Sequence, residues 1–247
     1  MTGEDDMIPK IIHYCWFGGK PLPRSALECI NSWQKFFPNY EVREWNESNY
    51  NVRKIPYIAE AYDAGKFAFV SDYARFDILY QYGGVYFDTD VEVIKSFDDI
   101  LGSGAFMGCE TDGGEKGIQI APGLGIAADP GLDIYKNILD YFSTQHFINA
   151  DGSMNMETVV KKTTKVLLAH GLKNIKGIQK LKKITIYPRD YFNPLQDSTG
   201  VLTLTKNTHS IHWYAKSWIA PKARLRSKLT RPFHRIFGED CFKKYKK

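Results

Sequence analysis

Two carboxylates, Asp88 and Asp90, interrupt an otherwise apolar stretch, YQYGGVYFDTDVEVI, that runs from Tyr80 to Ile94. On a β-strand successive side chains alternate faces, so residues at i and i+2 point the same way. Two carboxylates on one face repel each other unless a cation or solvent lies between them. An oxygen-only pair without a neighbouring cysteine suits a hard divalent ion such as Mg2+ or Mn2+. An ion of that kind, with coordination positions left open, neutralises the charge of a departing diphosphate. The triplet carries little weight alone: with 17 Asp among 247 residues, one Asp-x-Asp arises by chance, and an acidic pair at an exposed strand end is the ordinary alternative.

The residues upstream change that balance. In SDYARFDILYQYGG, Asp72 and Arg75 are three apart and share one face of a predicted helix. Ser71 is expected to cap that helix, which should run from Asp72 to about Gln81 and stop at Gly83-Gly84. The Gly-Gly turn leads straight into the acidic strand, so the helix start and both carboxylates can border one crevice at the strand ends, where open α/β sheets bind ligands.

Around these residues the pattern is β-α-β. IPKIIHYCWFGG reads as a buried strand from Lys10 to Trp16, RSALECINSWQKFF as an amphipathic helix ended by Pro38, and YEVREWN as a second strand. VYFDTDVEVI is expected to be one continuous strand, with a further strand toward Glu110 and a Gly-rich loop from Thr111 to Gly125. Helices near Leu132 to Phe142 and Met156 to His170, and strands near Ile184 to Tyr187 and Ser210 to Trp213, complete an α/β globule with a mostly parallel sheet. The reading is one domain over 1–220 and a tail over 221–247. Cys15, Cys29, Cys109 and Cys241 lack any C-x-x-C spacing and read as reduced packing residues. The absence of a long apolar run or secretory signal leads to the expectation of a cytoplasmic chain.

The compound pattern IPKIIHYCWFGG, SDYARFDILYQYGGVYFDTDVEV and IHWYAKSW, spanning Ile8 to Trp218, resembles the Asp-x-Asp sugar transferases of glycosyltransferase family 32. It is similar, more distantly, to the glucosyltransferase domains of clostridial toxins. The resemblance implies a GT-A type, Rossmann-like fold, a nucleotide-sugar donor (UDP-sugar favoured), a divalent metal, Mn2+ or Mg2+, and retention of anomeric configuration. By position it implies that Trp16 stacks on the nucleotide base, that Ser71 and Asp72 contact ribose or donor sugar, and that Arg75 holds sugar or phosphate. Tyr86 would approach the diphosphate, Asp88 the ribose or a metal-bound water, and Asp90 the metal. In the closing motif a histidine, His212 in preference to His209, would complete the metal site. Lys216, Ser217 and Trp218 would cover the phosphates. Relatives often read His-His-Tyr where this chain reads His212-Trp213-Tyr214. Arg75, Asp72, Asp88 and Asp90 are thus the candidate catalytic set. Glu110 is a further carboxylate to test as a nucleophile, and His13 reads as a satisfied core histidine.

The charge is unevenly placed. From Lys222 to Lys247 ten Lys or Arg face only Glu239 and Asp240, which leaves the rest of the chain mildly acidic. Leu225, Leu229, Phe233, Ile236 and Phe237 are interspersed with these basic residues, and Pro232 is expected to interrupt any single helix. An anionic membrane is the expected partner of this tail rather than nucleic acid. A lipid-linked or surface glycan acceptor agrees with it. The alternatives are a metal-dependent nucleotide-diphosphate hydrolase and a non-catalytic nucleotide-sugar-binding protein with a membrane-binding tail.

Overall fold

The computed structural model describes residues 8–215, 225 and 229–235. In chain order the elements begin β1 (Ile11–Cys15), α1 (Arg24–Phe36), β2 (Glu41–Trp45), α2 (Pro56–Asp63), α3 (Phe67–Tyr82), β3 (Gly84–Tyr86) and β4 (Val91–Val93). They continue as α4 (Asp98–Leu101), β5 (Ala105–Thr111), β6 (Gln119–Ile120), a 3-10 turn (Pro122–Leu124), β7 (Ile126–Ala128), α5 (Asp133–Ser143) and α6 (Val159–Ala169). The last are β8 (Gln179–Leu181), β9 (Ile184–Tyr187), α7 (Arg189–Phe192), β10 (Leu195–Gln196), β11 (Val201–Leu202) and β12 (Ser210–His212).

The central sheet has the order β2-β1-β3-β7-β5-β9-β8, with β6 on the side of β5. Strands β1, β2, β3, β5 and β9 run in one direction and β6, β7 and β8 in the other, so the sheet is mixed but mostly parallel. Alternation along β1 divides the core. Ile12 and Tyr14 face the cluster that contains Trp33 of α1 and Phe192 of α7, whereas Cys15 faces the cluster built on α2, α3, α5 and α6. A three-layer α/β arrangement results, with the mostly parallel sheet that the alternation of strands and helices in the sequence predicts.

Helix α1 buries Ala26, Cys29, Ile30 and Trp33, the spacing of one helical face. That face grips β4: the Trp33 indole donates to Val91 O (2.7 Å), and Ser32 Oγ accepts from Val93 N (2.9 Å).

Several sequence expectations change. Helix α3 begins at Phe67, so Ser71 lies inside it and its hydroxyl donates to Phe67 O (3.2 Å) rather than capping. The apolar residues Phe69 and Val70 are buried one turn ahead of the cap signal, and tertiary burial outweighs a surface cap. The expected single strand VYFDTDVEVI is also broken. The chain leaves the central sheet after Tyr86, turns with Val91 N donating to Asp88 O (3.0 Å), and resumes as β4 in a separate two-stranded sheet with β12. Asp, poor in strands and favoured in turns, sets that break. The loop expected over Thr111 to Gly125 contains β6 and the 3-10 turn. Residues 229–235 are helical with Pro232 included, so proline does not interrupt this described run. Cys15, Cys29 and Cys109 are free and buried, and Cys241 lies outside the described residues.

Gly83 and Gly84 both adopt positive φ (63° and 96°), and a Cβ on Gly84 would stand 2.6 Å from Ile11 O. This close approach brings Gly83 O within 3.0 Å of His13 Nε2, while His13 Nδ1 accepts from the Trp45 indole (3.0 Å). Since an indole only donates, the imidazole is neutral with its proton on Nε2. Burial pulls its pKa from 6.5 to about 4. A histidine depressed on folding contributes stability that is complete above the unfolded value and is lost as pH falls from about 6.5 toward about 4, on the order of 3 kcal/mol. Urea denaturation at pH 7.0 and 4.5 should show this drop, and His13→Gln should flatten its pH dependence.

Candidate functional site

The site is built where α3, the turn after β3, the 3-10 turn and β12 meet. Helix α3 is buried on nearly every side, and of its three charged residues Arg75 and Asp77 are themselves buried. Asp77 is compensated by Tyr50 (2.9 Å), Lys54 (2.7 Å) and Gln81 (2.8 Å). Arg75, only 3% exposed, faces the other way.

Its guanidinium reaches two carboxylates: Nη2 lies 2.9 Å from Asp72 Oδ1 and 3.2 Å from Asp88 Oδ1. The Nε–H donates to Ser71 O (3.2 Å), and the cation sits 5.1 Å above the Tyr86 ring. Tyr86 in turn donates its hydroxyl to Asp88 Oδ1 (3.0 Å). Asp88 Oδ1 is therefore saturated by two donors, which directs Oδ2 toward the 3-10 turn. A Cβ at Gly123 would lie 2.1 Å from that oxygen, so only glycine fits there; Gly123 O also accepts from Asp88 N (3.3 Å).

The partner carboxylate is held by the end of the described globule. Antiparallel pairing sets His212 opposite Val91, beside Asp90, and His212 Nε2 stands 3.1 Å from Asp90 Oδ1. Asp90 Oδ2 accepts from Ala215 N (2.8 Å) and Asp90 O from Trp213 N (2.9 Å). Tyr214 takes a left-handed φ of 51°, which bends the chain back so that Ala215 reaches Asp90, and its hydroxyl donates to Asn193 Oδ1 (3.0 Å).

Asp88, Asp90 and His212 each offer one ligand atom within 4.8 Å of the others. His212 Nδ1 is buried and has no partner. Two carboxylate oxygens and an imidazole nitrogen are a donor set for a divalent ion such as Mn2+, and Nε2 is the nitrogen that faces Asp90. The two carboxylates differ in environment. Burial raises Asp88 above the usual carboxylate range despite Arg75. At Asp90 burial acts the same way but is outweighed by His212 and the Ala215 N–H, which hold it below that range. Burial opposes charge on His212, yet Asp90, Asp88 and Glu110 together raise its pKa. Burial pushes Asp72 up to about 7 against the pull of Arg75.

Asp72, Arg75, Tyr86, Asp88, Asp90 and His212 are thus brought together, although Asp88 and Asp90 meet across a turn and not on one strand face. Ser71 contributes its carbonyl to Arg75. Trp16 follows β1 and donates its indole N–H to Lys20 O (2.6 Å). His209 is packed elsewhere, with Nε2 2.9 Å from Asp99 and its ring stacked on Tyr191. Glu110, near the end of β5, is raised by burial and lies in the field of His212. Lys216, Ser217 and Trp218 lie outside the described residues. Gly123 and Tyr214 were not singled out from sequence. The Pro122-Gly123 dipeptide marks a turn, but nothing local in it indicates a carboxylate across the way.

Residues 23–107 match the family described as "Glycosyltransferase sugar-binding region containing DXD motif". That match covers about a third of the chain. An uncharacterized glycosyltransferase of Acanthamoeba polyphaga mimivirus is 34% identical over 111 residues, which cover 41% of this chain and 43% of that protein. Inositol phosphoceramide mannosyltransferase 1 of Schizosaccharomyces pombe is 28% identical over 116 residues, covering 42% of this chain and 35% of that one. The chain therefore matches less than half the length of these curated relatives. Among solved structures, the PaToxG glycosyltransferase superposes with a TM-score of 0.51 at 18% identity, over 66% of this chain and 69% of that one. The fold is of the GT-A type, as the sequence resemblance implies.

Gly123→Ala should displace Asp88 from Arg75 without touching the core. Mn2+ and nucleotide affinity measured by calorimetry should fall at least tenfold, while the thermal midpoint moves by no more than a few degrees.

Proposed function

We propose that the chain is a metal-dependent, retaining hexosyltransferase that moves a sugar from a nucleotide-sugar donor, a UDP-sugar in preference, to a hydroxyl of a surface polysaccharide or lipid-linked oligosaccharide. The observation that carries this reading is the convergence of Asp88, Asp90 and His212 beside a buried Arg75. Asp90, Asp88 and His212 would hold the ion, Mn2+ or Mg2+. When bound, such an ion supplies Lewis-acid neutralisation of a diphosphate.

The chain's own residues do the rest. Arg75 is fixed by two carboxylates before any ligand arrives, so its charge is preorganised for a phosphoryl or sugar oxygen. Asp72 and Ser71 orient the donor sugar or ribose from the helix side, Tyr86 approaches the diphosphate, and Trp16 offers a flat face to the base. Lys216, Ser217 and Trp218 cover the phosphates. The acceptor oxygen attacks the anomeric carbon on the face the nucleoside diphosphate leaves. The leaving phosphate oxygen takes the acceptor's proton, so no separate general base is required.

The catalytic unit spans 1–220, and 221–247 meets an anionic membrane from the cytoplasmic side. No helix among the described residues is long and apolar enough to cross a membrane.

Two measurements test the reading. A panel of nucleotide sugars should reveal Mn2+-dependent release of nucleoside diphosphate, with UDP donors strongest. Release that produces no glycoside when acceptors are supplied would instead mark a hydrolase. In the same assay Asp90→Asn should lower turnover by a factor of 10³ or more and leave the circular dichroism spectrum intact; near-wild-type turnover would remove the metal assignment. Arg75→Lys keeps the charge but not the planar guanidinium whose Nη2 meets Asp72 and Asp88 and whose Nε meets Ser71 O, and should cost at least a hundredfold in kcat/KM.

A further inference from the structure

A lysine is among the most deeply buried side chains of the molecule. Lys162, near the start of α6, is fully enclosed, whereas Lys161 and Lys165 of the same helix are exposed. Its ammonium stands 3.1 Å from Glu157 Oε2, 5.2 Å from the centre of the Tyr57 ring and 5.8 Å from that of Phe142. Tyr57 comes from α2 and Phe142 from α5, and their rings meet edge to face at 5.2 Å. Three helices thus close around one charge.

Glu157 does not account for that burial. Its side chain is 34% exposed, enough for water to solvate the carboxylate without a partner. A methionine at 162 would pack on the same two rings without the cost of desolvating an ammonium. A cation kept there has a second, buried carboxylate to serve, and Asp72 is that group. The Asp72 side chain is 13% exposed and shares Arg75 Nη2 with Asp88, so two carboxylates face one guanidinium. Burial works against a charge on Asp72, and Arg75 and then Lys162 are the cations that favour it. Tyr57 joins the two. Its ring lies beneath the Lys162 ammonium, and its buried hydroxyl, without a hydrogen-bond partner, lies in the field of Asp72. Helix α6 also packs against the 3-10 turn whose Gly123 faces Asp88.

We infer that Lys162 is a positioning residue for the transfer reaction: its buried ammonium balances the Asp72 carboxylate from behind, so that Asp72 meets the donor sugar as an anion. An ionised carboxylate only accepts hydrogen bonds, so the groups it meets on the sugar are hydroxyls. Lys162 itself touches no substrate and acts through Asp72. Its loss therefore affects the sugar half of the donor, while the diphosphate remains with Arg75 and the metal ligands.

The inference rests on the proposed role of Asp72 as a donor-sugar contact. Lys162→Met, Glu157→Gln and the double variant are compared in the whole chain with Mn2+. The probes are the donor of highest turnover in the nucleotide-sugar panel and its nucleoside diphosphate. Lys162→Met should lower kcat/KM at least twentyfold and weaken the nucleotide sugar at least fivefold in calorimetry, with the nucleoside diphosphate bound within twofold of wild type. Glu157→Gln should keep kcat/KM within threefold of wild type. The double variant carries no unpaired carboxylate at 157, so it should regain the thermal midpoint that Lys162→Met loses and keep the whole loss of activity. Where Lys162→Met does not fold, the double variant decides. Recovery of activity together with stability in the double variant overturns the inference, because Lys162 then serves Glu157 alone. Equal weakening of nucleotide sugar and nucleoside diphosphate overturns it too, as does wild-type kcat/KM in Lys162→Met. Each of these results leaves the transferase reading standing. A wild type without donor turnover removes that reading and this inference with it.

Discussion

The site depends on a positive charge that cannot be discarded. Arg75 keeps its proton under all ordinary conditions, and it is buried within a helix whose buried side chains are mostly apolar. A lone buried guanidinium would be far too costly, so the fold must bring carboxylates to it. Asp72 comes from the same helix, one turn earlier, but Asp88 comes from the turn after β3, and only the Gly83-Gly84 connection lets the chain return close enough. The pair Arg75–Asp88 thus ties the helix to the turn. Removing Arg75 would leave two buried carboxylates without their cation, whereas removing Asp88 leaves Arg75 still paired with Asp72.

From that tie follows the unequal treatment of the two carboxylates. Asp88 is drawn inward toward Arg75 and Tyr86, where burial raises its proton affinity. Asp90, two residues on, points to His212 and a backbone N–H, and its negative charge is favoured. Neighbours in sequence therefore act in opposite electrostatic surroundings. One braces the turn against the helix, and the other holds its charge against an imidazole and a backbone N–H.

Much of this was legible in the sequence, and the misses share a cause. The first two strands, α1, α5, α6 and β9 follow from periodicity because each is long or strongly patterned. The association of Asp72, Arg75, Asp88 and Asp90 followed from their spacing around two glycines. The reason first given for the nearness of Asp88 and Asp90 was wrong, since they flank a turn and not a strand pleat. Strand propensity of the flanking Val and Phe obscured the turn preference of Asp-Thr-Asp. Strands of two or three residues such as β7, β8, β10 and β11 have too few positions to show a period. Gly123 is legible only in three dimensions, because the clearance it provides concerns a residue 35 positions away.

The pairing of β12 with β4 also fixes an order of events. Asp90 is made early in the chain and His212 late, and the sheet that joins them is separate from the central one. A ribosome-bound chain cannot close the Asp90–His212 pair until residue 212 is made, and a domain generally folds as a unit. During that interval Asp90 lacks its imidazole and the Ala215 N–H that lower its proton affinity. The cluster of Asp88, Asp90 and His212 therefore closes only after nearly the whole described globule has emerged.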